Sequence, residues 1–234
     1  MIANKRLVGL ALAGTLACAG AQAAGVGGSV TLTNNYMFRG ISQTDNSAAV
    51  QGGFEGELFG VYGGLWASNV QFNAANNGDG SMELDIYAGY KGSIGKHAGY
   101  DVGSIWYEYP NSSSGLSYSY NEVYAGGHYR WFSLKDYYSW DFFGGSGKAN
   151  YLDLGFTYTL PMDVDLGLHV GRQTVEDNAN FGYPDYTDYS IGVSKQMGGF
   201  GLGLKYTDTN LSQADCGNTK LCDGQAVVSL SKSF

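Results

Sequence analysis

The sequence contains no apolar run long enough to carry a helix across a bilayer, which takes about 20 residues. The longest such run, Leu7 to Ala19, lies at the very start. A helical membrane protein is therefore not expected. Proline is nearly absent, with 3 residues in 234, so pairing strands lose few ladder donors. Basic residues are also scarce: 13 Lys and Arg stand against 21 Asp and Glu, a formal charge of −8. An acidic chain of this kind argues against nucleic acid as a partner. Three histidines and three cysteines leave little material for a metal centre, and no His lies near the later cysteines in sequence. The residues call for no cofactor.

Other features are abundant. Lys5 and Arg6 precede the apolar run, and Ala21-Gln22-Ala23 stands just before Ala24. This is the pattern of a secretory signal peptide over residues 1–23 with an A-x-A cleavage site. Its removal takes away two cations and no acid, which moves the formal charge from −8 to −10. Cys18 offers a rival, lipid attachment, but Thr15-Leu16-Ala17-Cys18 lacks the usual aliphatic residue three places earlier. The exported chain keeps Cys216 and Cys222, separated by a short polar stretch. In an oxidising compartment these are expected to form a disulfide that staples a loop.

Glycine (37) and tyrosine (19) are plentiful. Both suit short strands in a curved wall with aromatics at membrane interfaces. Period-two alternation confirms the strand reading. Leu152, Leu154, Phe156, Tyr158 and Leu160 alternate with Asp153, Gly155, Thr157 and Thr159. Val164, Leu166, Leu168 and Val170 alternate in the same way with Asp163, Asp165, Gly167 and His169. Similar segments surround Met82 to Gly89, Asp188 to Ser194 and Phe200 to Thr207, whereas Ile105 and Trp106 compete for one face. Such segments have the length and pattern of membrane-spanning strands. The chain divides into about twelve of them, beginning near Ser29, Ala48, Gly60, Ser81, Gly99, Tyr118, Asp136, Asn150, Asp163, Asp185, Phe200 and Asp223. Tight connections at Phe59-Gly60, Pro161-Met162 and Met197-Gly198-Gly199 alternate with long polar ones at 73–80, 110–115, 176–184 and 210–222.

The expected fold is all-β: a closed antiparallel transmembrane β-barrel of about twelve strands filling residues 24–234. Short turns would lie on the periplasmic side and long loops outside. The chain ends in an alternating strand, Val227 to Phe234. It resembles the C-terminal signal read by barrel-assembly machinery, although Lys232 departs from that signal.

Asn35-Tyr36-Met37-Phe38-Arg39-Gly40-Ile41-Ser42-Gln43-Thr44 resembles the opening strand of the TorF-like porin family, an outer-membrane barrel family without an assigned substrate. The resemblance continues through Gln51–Phe54, Gly63–Val70 and Glu83–Tyr90, with weaker echoes at Trp106–Pro110 and Asn121–Gly127. It implies an outer-membrane location and a pore, and it carries over no functional residues.

If the apolar parity faces lipid, the polar parity lines a lumen. That lining is expected to hold Arg39, Glu55, Glu57, Glu83, Asp85, Glu122, His128, Arg130, Asp153, Asp163, Asp165, His169, Asp188 and Lys205. An excess of acids favours cations in an open pore. Alternatively, these acids pair with the bases as cross-links in a filled barrel. Arg39 is expected to bridge to Glu55 or Glu57 on the neighbouring strand. Tyr36, Phe38, Tyr90, Trp131, Trp140, Tyr158 and Tyr206 are expected in the interface girdles, and only Tyr87, Tyr107 and Tyr124 clearly fall on the polar parity. His169 with Ser190 or Ser194 is the one pairing that could be drawn as a hydrolase, with no nucleophile elbow to support it. Two functions stay open: passive diffusion of small solutes, cations among them, or a closed barrel that displays its loops to a partner. A soluble periplasmic barrel, with the apolar parity inward, is a third arrangement that parity alone does not separate from a membrane barrel.

Overall fold

The computed structural model describes residues 25–72, 80–110, 112 and 118–234. The expected signal peptide and Cys18 lie outside the described residues. Twelve strands close into one antiparallel barrel. They are β1 (Gly25–Thr33), β4 (Ala49–Leu58), β5 (Val61–Asn69), β6 (Met82–Ile94), β7 (Ala98–Glu108), β8 (Tyr120–Tyr129), β9 (Phe132–Ser139), β10 (Ala149–Leu160), β11 (Val164–Val175), β12 (Tyr186–Met197), β13 (Phe200–Thr209) and β14 (Gln225–Ser233). Two further strands, β2 (Met37–Phe38) and β3 (Ile41–Ser42), form a small separate hairpin, and α1 (Asn178–Phe181) sits in a loop.

Each barrel strand begins within a few residues of its expected start, because alternation marks strands independently of their partners. The connections 59–60, 95–97, 130–131, 161–163 and 198–199 are tight, while those at 34–48, 70–81, 109–119, 140–148, 176–185 and 210–224 are long. Neighbouring strands therefore meet in plain hairpin register, from Leu58↔Val61 at one turn to Met197↔Phe200 at another.

The apolar parity faces outward. Leu154, Ile191, Leu204 and Val228 are each about half exposed, and the same holds around the ring from Val30 to Leu230. Water would not solvate so continuous an apolar surface, so the barrel is one solvated by lipid. This excludes the soluble arrangement. Trp106 takes the outward face and Ile105 the inward one. Tyr90, Trp131, Trp140, Tyr158 and Tyr206 are exposed near strand ends, as expected of girdle residues.

The inward parity explains why glycine and tyrosine are both abundant. Tyr87 lies over its cross-strand partner Gly64, Tyr62 over Gly89 and Tyr124 over Gly103, each ring occupying the space a Cβ would take. Such tyrosine-over-glycine pairs let large rings lie flat against a curved wall. The inner wall is consequently unequal. Tyr62, Trp66, Tyr107, Tyr124, Tyr137 and Tyr151 crowd β5 to β10. On β12, β13, β14 and β1 most inward positions are small, among them Gly192, Ser194, Gly201, Gly203, Ser229, Ser231, Ser29 and Thr31, with Tyr186, Asp188 and Lys205 as larger exceptions.

The ring closes between β1 and β14, from Ser29↔Ser233 to Thr33↔Ser229. Phe234 extends the seam by exchanging backbone hydrogen bonds with Gly28, at 2.9 and 3.0 Å. Its ring packs edge-on against Phe54 with centroids 6.0 Å apart. Gly28 makes room, since a Cβ there would come within 2.7 Å of that ring.

Candidate functional site

The first long loop does not stay outside. After Thr33 the chain turns back into the barrel, and β2 and β3 pair through Met37↔Ser42 and Phe38↔Ile41. The two residues between them, Arg39 and Gly40, both have positive φ, 46° and 79°. A two-residue turn with both centres left-handed matches the twist of a hairpin. Here it places an arginine at the tip. Polar side chains brace the hairpin from behind. Ser42 Oγ donates to Asn35 Oδ1 at 2.7 Å, Thr44 Oγ1 to the Ser47 carbonyl at 2.6 Å, and the Asn46 amide to Ser42 Oγ at 2.9 Å.

Arg39 reaches across the bore. Its guanidinium donates to Glu122 Oε2 on β8 at 2.7 Å and to Gln173 Oε1 on β11 at 2.8 Å. It also lies over the Tyr151 and Phe38 rings, 4.1 and 4.7 Å from their centroids. Burial works against the charge, but the Glu122 carboxylate outweighs it and holds Arg39 well above its ordinary pKa. Behind the tip, the Tyr36 hydroxyl donates to Glu83 Oε1 on β6 at 3.1 Å. Gly40 meets the opposite side, where a Cβ would come within 2.5 Å of Thr209 Cγ2 and 2.8 Å of Asp188 Cβ. The hairpin thus touches the wall from β6 round to β13.

These contacts correct several expectations. Arg39 is at a loop tip rather than in a wall strand, and its partner is Glu122 rather than Glu55 or Glu57. Tyr36 is 4 % exposed inside the barrel and Phe38 packs beside Tyr107, so neither belongs to a girdle. Arg130 is in the turn between β8 and β9, with φ of 55° and its guanidinium over Tyr129 and Trp131, and so is not part of the wall. Asp163 likewise lies in the turn after β10.

The other expected lining residues sit on inward-facing strand positions, and several of them join three charge-paired groups. Glu55 and Glu57 on β4 accept from Lys91 Nζ at 3.3 and 2.9 Å. Asp101 accepts from Lys135 Nζ and from the Tyr62 hydroxyl, both at 2.6 Å, and Tyr62 also bonds Tyr124. His169 engages Asp153 through Nδ1 at 3.1 Å and Asp188 through Nε2 at 2.8 Å, and the Tyr151 hydroxyl donates to Asp188 at 2.9 Å. Lys205 is on β13 beside this group, with Asp188 as its acidic neighbour. Glu83 and Asp85 lie buried on β6 behind the hairpin, while His128 is exposed near the turn end of β8 and Asp165 accepts from Thr159 near the turn end of β11. Although Ser190 is the direct cross-strand partner of His169, both imidazole nitrogens are held by carboxylates, so the pairing does not provide a base for that serine. Among the described residues no group of His, Cys, Asp and Glu is arranged to hold a metal ion.

Lys91, Asp101, Lys135 and Gln173 escaped the sequence reading, as did the inward rings Tyr62, Trp66, Tyr137 and Tyr151. Charges of opposite sign on the same parity of nearby strands were the available signal for the lysines.

Cys216 and Cys222 form the expected disulfide, with Cα atoms 6.4 Å apart. Their loop clamps the hairpin. The Ser42 amide donates to the Leu221 carbonyl at 2.9 Å, Thr209 Oγ1 donates to the Cys222 carbonyl at 3.2 Å, and Ile41 packs in one buried cluster with Tyr186 and both cysteines. Above the hairpin lies a cavity of about 370 Å³ lined by residues from all six long connections.

Among solved structures, the barrel is similar to the KdgM porin, with a TM-score of 0.58 and 11% identity over 89% of this chain and 98% of that one. The KdgM porin in complex with disordered oligogalacturonate gives 0.56 and 10% over 89% and 98%. The NanC porin gives 0.54 and 8% over 88% and 98%. At such identities the likeness is one of fold. Comparison with the curated proteins gives no match. A family model described as "bacterial protein of unknown function (Gcw_chp)" matches residues 17–234, and the chain belongs to that family.

Proposed function

We propose that this protein is an outer-membrane porin that passes small solutes passively, with the β2–β3 hairpin as its constriction. The observation that carries the reading is the unequal inner wall: bulky rings crowd β5 to β10, while most inward positions of β12–β14 and β1 are small, and the solute path is assigned to that smaller-residue side, past the hairpin. The apolar exterior and the porin-like fold agree with it, as does the resemblance of Asn35–Thr44 to the TorF-like porins. Export through a signal peptide over 1–23 and delivery by barrel-assembly machinery reading the strand that ends in Phe234 complete the route to the membrane.

Inward acids exceed inward bases, which supports a weak preference for cations. The preference is weak because Glu55, Glu57, Asp101, Asp153 and Asp188 already face Lys91, Lys135 or His169. Single-channel current across a planar bilayer tests the proposal. Discrete steps, with a reversal potential on the cation side, are expected. A second reading, a closed barrel that displays its loops, draws on the Arg39–Glu122–Gln173 bridge across the bore. A correctly folded barrel that never conducts would establish that reading instead.

A further inference from the structure

The cavity above the hairpin has a lining whose chemistry is not that of the wall below. Its sides are aromatic. Tyr118 and Phe143 are stacked with centroids 4.8 Å apart, Phe72 meets Phe143 edge-on at 5.7 Å, and Phe142 meets Phe181 at 5.3 Å. Its polar groups are amides and hydroxyls, from Gln43, Gln71 and Gln173 and from Ser42, Thr219 and the tyrosines. Gln173 is fully buried at the floor, and the backbones of Gln43 and Gln71 are held side by side because the Gln71 backbone N–H donates to the Gln43 backbone carbonyl at 2.8 Å. Among the described residues Arg39 is the one charged residue in the lining, and Glu122 already neutralises it at 2.7 Å. At about 370 Å³ the cavity falls within the ~300–1,000 Å³ of small-molecule sites.

From these features we infer that the cavity is a binding site for a short neutral oligosaccharide. Sugar rings present apolar C–H faces that pack on aromatic rings, and their hydroxyls both donate and accept, which is what a glutamine amide does. A cup with no net charge gives an acidic or a cationic ligand no counter-ion to offset its desolvation. A purely hydrocarbon ligand would leave Gln43 and Gln71 facing an apolar surface. The site deepens the porin reading and rests on it for the route taken by the sugar, which would be captured between the external loops and handed to the small-residue wall beside the hairpin.

The test uses maltotriose as the neutral probe and trigalacturonate as its acidic counterpart, with the folded mature barrel in detergent for calorimetry and in planar bilayers for current. Maltotriose is expected to bind, and to interrupt the current when added on the loop side, while trigalacturonate binds more weakly. Phe143→Ala is expected to lower the affinity roughly ten-fold, in keeping with loss of one aromatic contact. Gln71→Leu preserves volume and lowers affinity by removing the amide, which guards against a folding defect in the first variant. A barrel that conducts but neither binds nor is blocked by maltotriose overturns the inference and leaves the porin reading standing. A silent barrel that binds maltotriose does the reverse. Equal or tighter binding of trigalacturonate overturns the assignment to a neutral ligand.

Discussion

Arg39 and Glu122 meet 2.7 Å apart with side-chain exposures of 4 % and 1 %, one on a loop tip and the other on the far wall of the barrel. Removing one partner of so buried a pair leaves the other uncompensated, at a cost of about 3–5 kcal/mol. Arg39→Ala is therefore expected to lower the unfolding temperature in detergent and to raise single-channel conductance, because the hairpin loses its anchor. Conductance and heat-shifted gel migration measure the two effects. An unchanged conductance would show that the hairpin is not the constriction.

Gly40 provides an independent approach to the same element. A side chain there meets Thr209 and Asp188, and the positive φ adds about 1–2 kcal/mol for a residue other than glycine. Gly40→Val is expected to displace the hairpin while Arg39 and Glu122 remain present. Protease sensitivity after Thr33, compared between the variant and the parent, reports the displacement.

The Cys216–Cys222 staple holds Leu221 and Cys222 against the hairpin. Reduction, or the paired change Cys216→Ser and Cys222→Ser, is expected to cost about 2 kcal/mol for a loop this short. The hairpin would then fluctuate, and current noise should rise on adding dithiothreitol from the loop side. A quiet trace after verified reduction would mean that the wall contacts alone fix the hairpin.

Lys91 spans Glu55 and Glu57. Lys91→Met would leave two facing carboxylates unopposed, so the zero-current potential in a potassium chloride gradient should move toward the potassium equilibrium value. Replacing both glutamates by glutamine should move it the other way. If neither shift appears, ions do not pass this part of the wall.

The parts of the fold legible in the sequence are those encoded at short range. Leu152 to Leu160 alternates regardless of what β9 and β11 do, and Pro161-Met162 marks its end, so strands and turns could be placed one at a time. The hairpin could not. Tyr36-Met37-Phe38 looks like the continuation of β1, and the bonds that draw it inward join residues 83 and 134 positions apart. Parity was informative for charge and misleading for rings: Tyr62, Tyr137 and Tyr151 are as large as lipid-facing residues, yet they share the inward face with Asp101, Lys135 and Asp153. Nothing local in the sequence distinguishes a tyrosine meant for a lipid interface from one meant to lie over a glycine on the next strand.

The seam between Gly28 and Phe234 bears on how the barrel comes to exist. Every other neighbouring pair in the wall is local in sequence, joined by a turn or one loop, but β1 finds β14 only after all the intervening strands are in place. Until then both strands carry unpaired backbone edges, which invite pairing with other chains. Closing the seam is the contact of highest order in the molecule and the natural slow step of its folding. An assembly intermediate of this chain would therefore be an open sheet with eleven correct pairings and two sticky rims, and substitution at Gly28 should make that intermediate accumulate rather than weaken the finished ring.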